Sequence, residues 1–288
     1  MSDDPEPPDE LDDQVDDPDG PGQIDDPDEV DEPDDPDDVE RQIERVRAWV
    51  DESEHVVVLS GAGISTDSGI PDFRGPNGVW TRDPEAEKRA TLQHYMADPQ
   101  VRRRAWRDRL EHPAWTAEPN AGHRAITDLE RRGKLDRVIT QNVDGLQQAA
   151  GTDPARVIEV HGTVHEVVCM SCDERAPMER ALDRVRAGEA DPHCRTCGGI
   201  LKSATISFGQ NLVPTDIEAA ASAARRADLL LAVGSTLAVY PVADVVPVAR
   251  MSGARIVIVN ASETAMDHLA DVVLRGSISE LLPRLVAR

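Results

Sequence analysis

Basic residues are missing from the first 40 positions of this 288-residue chain, which hold 21 Asp and Glu and no Lys or Arg. An acidic start excludes the positively charged head of a secretory signal. No apolar run approaches the roughly 20 residues that cross a bilayer, so a cytoplasmic chain with no membrane partner is expected. Aromatic residues are scarce at 3%, and none lies in the acidic, Asp- and Pro-rich stretch. Such a segment cannot bury enough apolar surface to offset its ordering entropy. Residues 1–38 are therefore expected to be a disordered acidic tail, a solvated spacer more readily than a docking arm. Its repulsion from phosphates argues against nucleic acid as a direct partner. Taking the 21 acids of the first 40 positions from 55 leaves 34 against 31 bases, so the net charge of −24 is mostly that of the tail region. Lysine is also rare (Lys88, Lys134, Lys202) while arginine is plentiful, and no function follows from that. Cysteine is limited to four residues, all between 163 and 203.

What the chain does contain is a repeating alternation. Val39, Ile43, Val46 and Val50 recur at helical spacing, and the β-branched run Val56-Val57-Val58-Leu59 after them reads as a fully buried strand. Further buried strands are expected at Arg137–Thr140, Val157–Val160, Leu229–Val233, Ile256–Val259 and Val272–Leu274. Helical patterns lie between several of them, including Ala121–Arg132 and Thr215–Arg226. Strands alternating with helices imply a mostly parallel, doubly wound sheet, whose ligands bind at the carboxyl ends of the strands. The polar motifs fall at those ends: Gly61, Gln141, His161, Gly234 and Asn260. Two segments break the pattern. Residues 75–120 are charged, Trp-containing and helical, and residues 163–203 carry the cysteines. The expected fold class is α/β, a Rossmann-like parallel sheet domain with an inserted small zinc-ribbon/helical domain.

The cysteines occur as Cys169-x-x-Cys172 and Cys194-x-x-Cys197, with 21 residues between the pairs. Each pair closes a knuckle that aims two thiolates inward, and two knuckles complete the tetrahedron zinc prefers. Four thiolates leave no open coordination position, so the metal would be structural. Disulfides are the alternative, and a cytosolic chain disfavours them.

The first chemical string is Gly61-Ala62-Gly63-Ile64-Ser65-Thr66-Asp67-Ser68-Gly69-Ile70-Pro71-Asp72-Phe73-Arg74. Glycines directly after a strand let the backbone turn sharply and approach a pyrophosphate. Its second half adds a stiff Ile-Pro step, then an acid, an aromatic ring and a guanidinium. The second string is Gln141-Asn142-Val143-Asp144-Gly145-Leu146. Its amides and acid suit ribose hydroxyls and a carboxamide, and equally a loop of Asx turns. Val160-His161-Gly162 places a histidine where a strand leaves toward the same crevice, which makes His161 a candidate general base near neutral pH. The remaining histidines read as structural or solvated.

These ordered strings, with the cysteine pairs, Gly234-Ser235-Thr236-Leu237, Val239-Tyr240-Pro241 and Asn260-Ala261-Ser262-Glu263-Thr264, resemble the sirtuins over about residues 40–285. The resemblance implies an NAD-dependent protein-lysine deacylase acting on acyl-lysine proteins, with NAD and zinc as cofactors. In that family the acyl oxygen attacks C1′ of the nicotinamide ribose, nicotinamide leaves, and the acyl group ends on ADP-ribose. It implies a NAD-binding domain assembled from 39–74, 121–162 and 204–288, a helical module over the cofactor at 75–120, and a zinc-ribbon insertion at 163–203. His161 would be the base, with Asn142 beside it in the catalytic set. Gly61, Ala62, Gly63, Ser65, Asp72, Phe73, Arg74, Gln141, Asn142, Asp144, Gly234, Ser235, Asn260 and Glu263 would contact NAD. The peptide would add as a strand between Phe208-Gly209 and Val239, although Phe208 and Val239 could equally be ordinary core. Mono-ADP-ribosyltransfer from the same cofactor is the competing enzyme reading, and a non-catalytic NAD-binding or zinc-ribbon module the competing non-enzyme one.

Several positions depart from the family pattern. Gln210 stands where an acid follows Phe-Gly, Lys202-Ser203 replaces Arg-Pro, Gln147 replaces a histidine, and Ser277 replaces an aspartate. Trp106-Arg107-Asp108-Arg109 keeps the spacing of the Tyr-x-x-Arg pair that recognises succinyl groups but lacks its phenol, which favours a neutral acyl group.

Overall fold

The computed structural model describes residues 36–288 apart from 74, 76, 77 and 84–89. Arg74 thus lies outside the described residues, as does the acidic stretch up to residue 35. Chain order begins with the helix Pro36–Glu52, which starts inside the segment read as tail. Proline at the first helical position and Asp37 and Asp38 in the first turn explain the earlier start.

Among the described residues nine strands follow: β1 (Val56–Ser60), β2 (Leu135–Thr140), β3 (Val157–Glu159), β4 (Gly162–Cys169), β5 (Arg175–Pro177), β6 (Leu201–Thr205), β7 (Leu229–Val233), β8 (Arg255–Val259) and β9 (Val272–Leu274). Six form a parallel sheet in the order β3-β2-β1-β7-β8-β9. Alternation divides each strand between two cores. Val56 and Val58 face one cluster, with Ile43, Val46 and Val50 of the first helix, Ile126 and Leu129 of the helix Ala121–Arg131, and Leu282 and Leu285 of the helix Ile278–Val286. Val57 and Leu59 face the other, with Ala220, Ala223 and Ala224 of the helix Pro214–Arg226 and Val246 and Ala249 of the helix Val245–Met251. Ile43, Val46 and Val50 are 0% exposed, and each fully buried side chain of that kind stabilises by roughly 1.5–3 kcal/mol.

The order reverses between β1 and β7, the switch point at which open α/β sheets bind ligands. Gly61, Gln141, Gly234 and Asn260 each directly follow a strand of that sheet. The strand expected from Arg137 begins two residues earlier at Leu135, and the one from Val157 ends at Glu159 rather than Val160.

The cysteine segment contains regular structure that its composition hid: an antiparallel sheet β5-β4-β6 and the helix Met178–Arg186. Its core also takes in a residue from outside the insertion. Trp106 of the helix Pro99–Leu110 is 0% exposed, packed with Val167, Cys169, Met178, Leu182 and Leu201. Arg102 of that same helix forms a buried ion pair with Asp191 at 2.9 Å, and the Tyr95 hydroxyl donates to the Leu201 carbonyl at 2.7 Å. The helical segment and the cysteine segment therefore share one small core.

Candidate active site

The glycines after β1 and β7 lock together. Gly61 N–H donates to Val233 O at 3.0 Å and Gly63 N–H to Gly234 O at 2.8 Å. A Cβ on Gly61 would lie 2.6 Å from Gly234 O, and one on Gly63 2.8 Å from Gly234 Cα. Gly234 has φ 64°, and a Cβ there would lie 2.4 Å from Ile64 N. This mutual approach explains the glycines at the switch point. Residues 62–68 then form a 3-10 turn, ended by Gly69 at φ 84°.

Asn120 fastens this turn to the next helix. Its Oδ1 accepts from Gly122 N at 2.9 Å, capping the helix Ala121–Arg131, while its Nδ2 donates to Ile64 O at 2.7 Å. Asn-Ala-Gly-His ahead of an apolar-periodic run was the available signal for this cap, and the motif reading passed over it. His123, read as structural or solvated, is buried and pairs its ring nitrogen with Asn120 in a capping box. Burial depresses its pKa to about 4.

From β2 the polar string turns back over the glycine loop. Asn142 Nδ2 donates to Gly61 O and to Ser65 Oγ, both at 3.1 Å. Ser65 Oγ donates to Asp144 Oδ2 at 2.8 Å, and Asp144 Oδ1 also accepts from Leu146 N at 2.9 Å. Gln141 Nε2 donates across the crevice to Ser235 Oγ at 2.9 Å. Ser60 Oγ donates to Thr140 Oγ1 at 2.9 Å, joining the ends of β1 and β2 beneath it. The structure thus brings together Gly61, Gly63, Ser65, Gln141, Asn142, Asp144, Gly234 and Ser235.

His161 stands two residues beyond β3, with Nδ1 3.1 Å from Gln141 O. A carbonyl only accepts, so Nδ1 carries the proton and Nε2 keeps its lone pair. Burial depresses the His161 pKa, with the Gln141 carbonyl opposing it in part. A neutral imidazole with a free lone pair at physiological pH is the state a general base requires.

The other expected contacts are placed less tightly. Asp72 accepts from Gly75 N at 3.0 Å and turns the loop, and Phe73 beside it is 45% exposed. Ala62 begins the 3-10 turn. Asn260 Nδ2 donates to Ser262 O at 2.7 Å, while Glu263 is exposed on the same loop. Phe208 is 38% exposed and Val239 partly so, which argues against ordinary core. Leu92 N donates to Phe208 O at 2.9 Å, so the segment through Gly209 pairs along one side with the chain entering the helix Leu92–Ala97. A groove of about 700 Å³ lined by Gln210, Leu212, Pro214, Ile217, Tyr240 and Pro241 opens alongside.

The cysteine sulfurs all lie within 4.8 Å of one another, with Cys169–Cys197 at 3.4 Å and Cys172–Cys194 at 3.8 Å. Tetrahedral zinc with Zn–S bonds of about 2.3 Å needs sulfurs about 3.8 Å apart, so the four thiols fit that ion. The structure also supplies a phenol where the Trp106-to-Arg109 spacing lacked one. The Arg109 guanidinium lies 3.5 Å from the Tyr95 hydroxyl and 3.3 Å from Ser203 Oγ, over the rings of both Tyr95 and Trp106.

Comparison with known proteins agrees with this geometry. The model of the Sir2 family matches residues 61–241. The NAD-dependent protein deacetylase 2 of Streptomyces coelicolor is 53% identical over 231 residues, covering 80% of this chain and 96% of that one. The NAD-dependent protein deacylase 2 of Pyrobaculum aerophilum is 40% identical, covering 81% and 90%. A solved complex of Sir2 with a p53 peptide and NAD+ superposes with TM-score 0.76 at 33% identity, covering 84% and 96%. The chain belongs to the Sir2 family.

Proposed function

We propose that this protein is an NAD-dependent protein-lysine deacylase, with acetyl-lysine as its acyl substrate, that transfers the acyl group to ADP-ribose and releases nicotinamide. The observation that carries the proposal is the His161 geometry: Nδ1 held by the Gln141 carbonyl and Nε2 left as acceptor, beside the network through Asn142, Ser65 and Asp144. Relatives at 53% and 40% identity, named deacetylase and deacylase, support it, as does a family structure bound to an acetylated peptide.

The parallel-sheet domain (39–74, 121–162 and 204–288) would hold NAD at the β1/β7 switch point. When bound, NAD supplies an electrophilic anomeric carbon with nicotinamide as its leaving group. Ala62 and Ser235 would bring backbone N–H groups and a hydroxyl to the phosphates, while Gly61, Gly63 and Gly234, whose own N–H groups are bonded within the protein, would let the backbone come close to them. Gln141, Asn142 and Asp144 would orient the nicotinamide ribose and its carboxamide, and Asn260 and Glu263 the adenosine side. Asp72 and Arg74 would order the loop so that Phe73 excludes water. His161 Nε2 would accept a ribose hydroxyl proton. Residues 75–120 would cover the cofactor, and the four-thiolate zinc of 163–203 would be structural, with no open position for substrate.

The peptide would add as a strand between Phe208-Gly209 and Val239, bound mainly through its backbone. An Arg109 already stacked on two rings and bonded to Ser203 favours a neutral acyl group over a carboxylate-bearing one. Cysteines used as metal ligands and not as disulfides suit the cytoplasm, and no helix among the described residues is long and apolar enough to cross a membrane.

Mass spectrometry of products from NAD plus acetyl- and succinyl-lysine peptides tests the reading. O-acetyl-ADP-ribose with free lysine is expected. ADP-ribose accumulating on protein without that product would favour the transferase instead, and a strong succinyl preference would overturn the acyl assignment.

A further inference from the structure

The loop bearing Asn142 and Asp144 is held from outside the parallel sheet by a histidine that no sequence motif marks. His165 lies on β4, the central strand of the cysteine-bearing sheet. Its Nε2 is 2.7 Å from the Asp144 carbonyl oxygen. Because a carbonyl only accepts, Nε2–H is the donor and the tautomer is set. One residue earlier, Val164 N donates to Val143 O at 2.9 Å, so β4 grips two successive carbonyls of the loop.

The position next to Asp144 is built to admit this ring. Gly145 has φ 72°, and a Cβ there would lie 2.7 Å from His165 Nε2. On its other side His165 meets the edge of Trp115, with ring centroids 5.5 Å apart at 75°, and Trp115 in turn meets His112 at 5.8 Å. The imidazole thus sits between an aromatic pair from the helical segment and the backbone of the polar loop, and is otherwise exposed to solvent. The Asp144 carboxylate is fixed by Ser65 and Leu146 N, and Ser65 by Asn142. A shift of the Asp144 backbone would therefore be passed to Ser65 and Asn142.

We infer that His165 is a positioning residue for the cofactor: by donating Nε2–H to the Asp144 carbonyl beside Gly145, it holds the Asp144–Ser65–Asn142 chain in the geometry that receives NAD. This rests on the reading of Asn142 and Asp144 as NAD-binding residues. The influence assigned to His165 runs through a backbone carbonyl.

The test uses the full chain loaded with zinc and measures NAD affinity by calorimetry alongside peptide kinetics and melting. His165→Phe keeps a flat ring against Trp115 but removes the donor. One hydrogen bond of this kind accounts for about a five- to tenfold loss of NAD affinity, with the acetyl-peptide KM unchanged. His165→Gln, which can present an amide N–H, should restore affinity to within about twofold of wild type. Because the effect passes through Ser65, losses from His165→Phe and Ser65→Ala should be less than additive. Unchanged NAD affinity in His165→Phe overturns the inference, as does His165→Gln as weak as Phe, or full additivity with Ser65→Ala. Product formation by the wild type is assayed in parallel. Wild type that binds NAD without forming O-acetyl-ADP-ribose would sink the deacylase reading while leaving this inference to be judged on binding alone.

Discussion

Three glycine-to-alanine substitutions separate the two reasons a glycine can be required at the β1 and β7 ends, where the cofactor is proposed to bind. Gly69 has φ 84° and open space around its missing Cβ, so Gly69→Ala meets only backbone strain, roughly 1 kcal/mol. Gly61 has φ −128°, a conformation any residue adopts. Its added methyl would meet Gly234 O at 2.6 Å and Ser235 Cβ at 2.8 Å. The shortfall from ordinary contact is large, and the oxygen belongs to backbone anchored through Gly63 N. Overpacking of that kind costs roughly 1–3 kcal/mol. Gly234 combines both handicaps, φ 64° and a 2.4 Å approach to Ile64 N, so its loss should be roughly the sum, 2–5 kcal/mol. In a domain of this size each kcal/mol lowers Tm by about 2–4 °C. Scanning calorimetry of the zinc-loaded protein should therefore rank Gly69→Ala above Gly61→Ala above Gly234→Ala. NAD affinity should fall at least about tenfold in the last two, because the β1 and β7 ends are pushed apart where the phosphates would sit. Gly61→Ala melting with Gly69→Ala and binding NAD as wild type does would refute the argument that backbone contact, not conformation, selects glycine there.

Acid should destabilise the protein through its buried neutral histidines. With its folded pKa at about 4, His123 stays neutral while the unfolded chain takes up a proton near pH 6.5. Its stabilisation is therefore complete above that pH and is lost as pH falls toward 4, by roughly 3 kcal/mol in urea titrations; His123→Gln should flatten that slope, and an unchanged slope would contradict it. Lys202 is 1% exposed and burial pushes its pKa down to about 7, so the unfolded chain holds the extra proton between pH 7 and 10.5 and wild-type stability climbs there. Lys202→Met removes the amine together with its donations to the Ser203 and Thr205 carbonyls, so the variant's stability should stay level where the wild type's climbs; a wild-type curve as flat as the variant's would show that the amine is held as a cation. Chelating zinc should lower Tm and shift the fluorescence of Trp106, whose ring packs against Cys169; unaltered melting after complete metal removal would contradict a structural four-thiolate site.

The parallel sheet was readable because its central strands β1, β7 and β8 are nearly pure Val, Ile, Leu and Ala, with both faces covered. The order of polar groups at the strand ends was readable for the same reason: Gly61, Gln141 and Gly234 fall where apolar runs stop. The small sheet was not. β4 mixes buried and half-buried residues around one exposed histidine, and β5 has three residues with two exposed, so neither carries a continuous apolar signal. Trp106 looked like part of a charged helix, because the residues lodging it belong to a segment some sixty positions later. His165 was passed over for a related reason. Its partner is a backbone carbonyl, which no side-chain pattern reveals, and the clue is the glycine beside it at Gly145. The phenol near Arg109 came from Tyr95 on a separate helix, a proximity set by packing and not by spacing.

The indole shared by the helical excursion and the metal knuckle ties two stretches of chain that leave the parallel sheet at different points. With the buried Arg102–Asp191 pair and the Tyr95 hydroxyl on Leu201, the union has three fastenings of different chemistry. One wall of the crevice would then swing as a single plate, and a distant ion that never meets the substrate would help to set how stiff that plate is.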